Sequence, residues 1–176
     1  RAGLAYRLVG AQRFYGRREV KDMIAYLRLV QNPADEISLQ RVINVPRRGI
    51  GDKTLTALAL VAQQNNTSVG EILLDLGKEA DESRYWSELS GRGAMLLADF
   101  GSLLAGWRKL TEDPKNLPAL FDRIIEDTGF QPYIDDGTDE GKDRWENVQE
   151  LRRLAYDYQD RGLTAFLEML ALVSDQ

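Results

Sequence analysis

Two short runs with helical spacing flank the hexapeptide Pro46-Arg47-Arg48-Gly49-Ile50-Gly51, and no other feature of the chain restricts its fold more. Before it, Leu39, Val42 and Ile43 fall on one side of a helix; after it, Leu55, Leu58 and Val61 do the same. Pro46 stops the first helix, because proline has no N–H to give and restricts the residue before it. Gly49 and Gly51 open backbone angles that other residues avoid. The chain must reverse within a few residues and lay two helices together, with Ile50 filling the gap between them. Asp35 or Ser38 is placed to cap the first helix, and Asp52 the second, which runs to Asn65-Asn66.

The same punctuation orders the rest of the chain. Ala5 to Val9 alternates and stops at Gly10, which predicts one short N-terminal strand followed by a turn from Ala11 to Gly16. From Arg17 the period becomes helical, with Val20, Ile24, Leu27 and Val30 on one side, and Asn32-Pro33 ends the run. A short helix is expected from Ser68 to Leu76, then loop or partial helix from Gly77 to Ser90. Further helices are expected over Arg92 to Leu110, Leu117 to Thr128, Lys142 to Gln159 and Leu163 to about Val173. The acidic, glycine-flanked stretch Asp135 to Gly141 reads as the most mobile loop. The predicted fold is mainly α: an irregular helical domain containing a helix-hairpin-helix-like turn, with one short strand at its start.

Composition narrows the chemistry. The 176 residues include no cysteine and no histidine, which removes disulfides, thiolate and imidazole metal sites, and the side chain most used as a general base near neutrality. No run of 18 apolar residues is present, so no membrane span is expected. Arg1-Ala2-Gly3-Leu4 carries neither an initiator Met nor the apolar stretch of a secretory signal, and the chain is expected to come from a longer protein. The net charge of −5 argues against an anionic partner until its distribution is read. Residues 1–60 hold eleven Lys and Arg against five Asp and Glu, whereas residues 61–176 hold twelve against twenty-three. That asymmetry points to a basic face for an anionic ligand.

The hairpin is where such a ligand is expected. Successive N–H groups at Gly49, Ile50 and Gly51 make a concavity suited to a phosphate, and the positive end of the following helix reinforces it. Arg47 and Arg48 before the hairpin, and Lys53 and Thr54 in the next helical turn, are placed to add side-chain contacts to the same nucleic-acid strand. Binding of this kind reads backbone shape and charge, not sequence. The alternative is a tight interhelical turn with arginines on a solvated face. Arg17, Lys21 and Arg28 share a face near Phe14 and Tyr15, and with Glu19 and Asp22 they read as solvated, mutually paired charges. The carboxylate pairs Asp35-Glu36, Asp135-Asp136 and Asp139-Glu140 lack any further ligand pattern and read as caps and loop residues. Trp86, Trp107 and Trp145 read as core anchors.

Tyr6 to Gly10, Arg13 to Asp22, Tyr26 to Leu29, Asn32 to Asp35 and Arg41 to Leu55 together closely resemble a segment of the UvrD/PcrA/Rep-type superfamily 1 DNA helicases. It is the segment in which the second motor domain leads into its inserted 2B subdomain. Thr128-Gly129-Phe130, Glu146 to Leu151 and Phe166 to Asp175 are similar to later helices of the same family. The resemblance implies three parts: residues 1–30 as the junction with motor domain 2A, residues 31–165 as the helical 2B subdomain, and residues 166–176 as the return helix toward 2A. It also implies a cytoplasmic enzyme that translocates 3' to 5' on single-stranded DNA using ATP and Mg, with 2B touching duplex DNA and the remaining helicase domains as partners. This chain has no Gly-x-x-x-x-Gly-Lys-[Ser/Thr] run, so it is expected to bind no cofactor itself and to be inactive alone. A different expectation is a helical interaction module whose acidic part, residues 62–176, recruits a repair or transcription protein.

Overall fold

The computed structural model describes residues 10–78, 82–89 and 91–174. The described residues are mainly helical and include no strand; the strand expected at Ala5 to Val9 lies outside them. No described helix is long and apolar enough to cross a membrane. The chain forms two compact units, residues 28–109 and residues 1–27 with 110–176.

The contiguous unit contains the end of α2 (Arg18–Gln31), then α3 (Glu36–Val42), α4 (Asp52–Gln64), α5 (Val69–Leu76), a 3-10 turn at Arg84–Ser87, and α6 (Gly91–Leu110). Asp35 caps α3 by accepting from the Ser38 N–H at 3.1 Å and the Ser38 hydroxyl at 2.7 Å, which decides between the two expected caps. Ser68 caps α5 through the Glu71 N–H at 3.2 Å. Leu58, Ile72, Leu97, Phe100, Leu104 and Trp107 are fully buried and form much of this core. Backbones approach closely in two places. A Cβ on Gly70 would lie 1.8 Å from the Pro33 carbonyl oxygen, and one on Gly101 would lie 1.8 Å from that of Leu73, so both sites require glycine. Arg108 at the end of α6 donates to the Val30 carbonyl at 2.5 Å and satisfies an end of α2.

The discontinuous unit holds α1 (residues 10–15), the first part of α2, α7 (Leu117–Thr128), α8 (Phe130–Ile134), α9 (Asp139–Asp157) and α10 (Leu163–Ser174). Phe121, Phe130 and Phe166 fill its centre, and Tyr26 meets Phe130 edge-on at 6.5 Å between ring centroids. Residues 10–15 are helical where a turn was expected; Ala11 and Gln12 favour helix, and the Gly16 N–H closes the turn on the Gln12 carbonyl at 2.9 Å. Likewise α9 begins at Asp139, not Lys142. Thr138 caps it by accepting from the Gly141 N–H at 2.9 Å, and Asp139 and Glu140 in the first turn suit the positive end of the helix. The expected mobile loop is thus partly helix. Glu19 and Asp22 are not on a solvated face: they are 3% and 4% exposed, and Glu19 accepts from the Asn147 side-chain amide at 2.9 Å. Trp107 is a fully buried anchor, while Trp86 and Trp145 are half-buried.

Candidate nucleic-acid interface

The link between α3 and α4 is built by side chains that satisfy its backbone. The end of α3 leaves carbonyl groups without helical partners, and the guanidinium of Arg48 turns back to donate to those of Val42 at 2.7 Å and Ile43 at 2.8 Å. The same guanidinium lies 4.6 Å from the centre of the Phe100 ring on α6. Arg48 therefore ties α3, the link and α6 together, and its charge is turned inward. Asn44 holds the other side of the link. Its side-chain oxygen accepts from the Ile50 N–H at 3.1 Å and its amide donates to the Ile50 carbonyl at 2.7 Å.

Ile50 is 2% exposed, as a plug between two helices should be. Gly49 has φ 80°, in the left-handed region where glycine is at ease. Gly51 has φ −82° and ψ 171°, ordinary extended backbone, and it rather than Asp52 is the N-cap of α4. The shift of one residue matters. Glycine offers no side-chain oxygen, so no side chain caps α4, and its first N–H groups carry the positive end of the helix dipole without a capping acceptor.

Around this opening Arg47, Gly49, Gly51, Asp52 and Lys53 are exposed. Among the described residues neither Arg47 nor Lys53 has an ion-pair partner. Thr54 is half-buried, and a Cβ on Gly93 would lie 2.4 Å from its hydroxyl oxygen, so its side chain packs on the first turn of α6. Of the seven expected site residues, the structure exposes Arg47, Gly49, Gly51 and Lys53, buries Ile50, and turns Arg48 and Thr54 toward α6. Sequence reasoning passed over Asn44, which has no helical period or glycine signature to mark it; its nearness to Pro46 and its six-residue separation from Ile50 were the available hints. It also passed over Asp52 as a charge at the site, reading it only as a cap.

A family model described as the UvrD-like helicase C-terminal domain matches residues 1–176. The chain belongs to that family. This UvrD-like chain is 32% identical over 194 residues to the ATP-dependent DNA helicase UvrD1 of Mycobacterium tuberculosis, an alignment covering 99% of the chain and 24% of the relative. It is also 32% identical over 182 residues to the ATP-dependent DNA helicase PcrA of Staphylococcus aureus, with the same two coverages. The chain thus spans about a quarter of the length of these relatives. Within the UvrD-like chain, the stretch from Arg47 to Lys53 offers uncapped N–H donors and two exposed cations, an arrangement suited to a phosphate group.

Proposed function

We propose that this chain is the 2B accessory subdomain, with its junctions to motor domain 2A, of an ATP-dependent 3'-5' DNA helicase, and that its helix-hairpin-helix holds the backbone of duplex DNA. Residues 1–30 and 166–176 are assigned to the junctions and residues 31–165 to 2B. The observation that carries the DNA contact is the uncapped start of α4 behind Gly49-Ile50-Gly51, with Arg47 and Lys53 exposed beside it. A phosphate there accepts from backbone N–H groups and displaces counterions from the two cations, so the contact is indifferent to base sequence and weakens with salt.

ATP and magnesium are assigned to the rest of the helicase. The residues present do not fit them: the sequence has no phosphate-loop run, and no step of hydrolysis is derived for this chain. A second reading, a module that recruits a repair or transcription protein, has one observation in its favour. A groove of about 340 Å³ lies between α3, α4 and α5, floored by Leu39, Ile43, Leu55 and Leu58. Ala62, Gln63, Thr67 and Val69, from the acidic part at residues 62–176, line one side of it.

The deciding experiment compares partial duplex with single strand in the complete helicase at low salt. Gly51→Val has open space at its Cβ and an ordinary extended backbone, so it obstructs close approach of a phosphate at the cost only of a poorer N-cap. A loss of duplex binding with single-strand binding kept supports the proposal. Equal binding to both substrates by the parent, or an unchanged duplex affinity in Gly51→Val, would leave the hairpin as a turn and favour the interaction module.

A further inference from the structure

Asn44 lies outside the surface that the proposed function uses, yet its side chain hydrogen-bonds the backbone at the centre of the hairpin. Both polar groups of its amide are engaged with one residue, Ile50, at 3.1 Å to the N–H and 2.7 Å to the carbonyl. Ile50 is the middle residue of the Gly-Ile-Gly turn, so this pair of bonds has two consequences. It removes the Ile50 N–H from the donors open to a ligand, and it fixes the plane of the peptides on either side. With the Ile50 side chain buried below, the turn is held from two directions, and Gly51 and the first turn of α4 are left facing outward.

We propose that Asn44 is a positioning residue for the DNA contact: it pins Ile50 so that the phosphate is met by the N–H groups of Gly51 and the start of α4, and not by that of Ile50. The inference rests on the hairpin reading given above. Gly49 alone does not hold this geometry, because a residue that is at ease at φ 80° is also at ease elsewhere. Without the Asn44 amide, the Ile50 N–H and carbonyl turn to water and the link from Val45 to Gly51 samples other conformations. Arg48 donates to the carbonyls of Val42 and Ile43, at the end of α3.

The test uses Asn44→Ala in the complete helicase, with Ile72→Val as a control that loosens the core of the same unit away from the hairpin. Duplex and single-strand affinities are measured across a salt series well below the melting temperatures, and amide exchange is followed at Ile50. Asn44→Ala is expected to deprotect Ile50, weaken duplex binding about three- to tenfold, the range that one or two hydrogen bonds supply, and flatten its salt dependence, with single-strand binding unchanged. The control is expected to lose thermal stability only. If Asn44→Ala melts earlier as the control does but keeps the parent's duplex affinity and salt slope, Asn44 is a structural residue and the inference is overturned. If Gly51→Val also leaves duplex binding unchanged, the hairpin reading falls along with it.

Discussion

At Gly49 the backbone has φ 80°, while at Gly51 it has φ −82° and ψ 171°, and open space surrounds both positions. The two glycines therefore answer to different tests. Gly49→Ala is expected to lower stability by about 1 kcal/mol through backbone strain alone, which urea unfolding reads directly. Gly51→Ser is expected to do the opposite, raising stability by a few tenths of a kcal/mol because the hydroxyl supplies the cap that α4 lacks. That hydroxyl takes the same N–H groups a phosphate would use, so duplex affinity should fall as stability rises. The arginines separate in the same way. Arg48→Ala leaves two carbonyls without their donor and uncovers the Phe100 ring, and a loss of about 2 kcal/mol is expected. Arg47→Ala and Lys53→Ala should change stability by less than about 0.5 kcal/mol, and each should reduce the slope of log affinity against log salt by about 0.9. Asp52 sets its carboxylate at the start of α4, and Asp52→Asn should bind duplex more tightly at low salt. The buried Ile50 and the left-handed Gly49 were readable at the hairpin, but the inward turn of Arg48 was not. Adjacent arginines look alike in a sequence; which one meets the end of α3 depends on where the chain is after Pro46.

Helix boundaries were legible where a capping residue and an apolar period agree. Asp35 before α3 and Ser68 before α5 are such places, and the observed helices start there. The period alone misled at α9, where Asp139 and Glu140 look like loop residues but serve as the acidic first turn behind Thr138. It also misled at α2: Glu19 and Asp22 have the composition of a solvated face, and only the position of Asn147, 128 residues away from Glu19, shows why Glu19 is buried. Close helix crossings left no readable trace beyond glycine itself. Gly101 on α6 meets the Leu73 carbonyl of α5, and Gly101→Ala is expected to destabilise by more than about 2 kcal/mol, because backbone and not a flexible side chain blocks the added methyl; a thermal melt against Gly106→Ala, which has open space, is the control. At the end of α5, burial pushes the Asp75 carboxyl up, but the Ser83 hydroxyl at 2.6 Å and the Lys78 ammonium at 3.1 Å outweigh it and hold its pKa below the ordinary value. A depressed carboxyl stabilises the fold above its unfolded pKa of about 3.9 and loses that contribution as the pH falls through the folded value. Between about pH 5 and pH 2 the parent should therefore lose more stability than Asp75→Asn, by urea unfolding at each pH.

Across the whole molecule, the charge asymmetry along the sequence does not make either compact unit basic. Residues 28–109 contain ten basic and ten acidic residues, and the basic surplus of residues 1–60 is divided at Leu27. The proposed function assigns the attraction for DNA to the local surface at Arg47 and Lys53, and on that reading the chain alone should bind weakly, in the non-specific range of about 10⁻⁴ to 10⁻⁶ M. It should also release no phosphate from ATP in the presence of single-stranded DNA, which a phosphate-release assay checks; turnover abolished by a substitution within residues 1–176 would contradict the assignment of ATP to the rest of the helicase. The two units differ in one further respect, which follows from chain order. Residues 28–109 are contiguous, so the whole of that core is available as soon as α6 has left the ribosome. The other unit is split. Val20, Met23 and Tyr26 on α2 are synthesised early, but Phe121, Phe130 and Phe166, from the elements that complete that core, come about a hundred residues or more later. At about 5–20 residues per second, the apolar side of α2 stays uncovered by its own core for roughly 5–30 seconds in every round of translation.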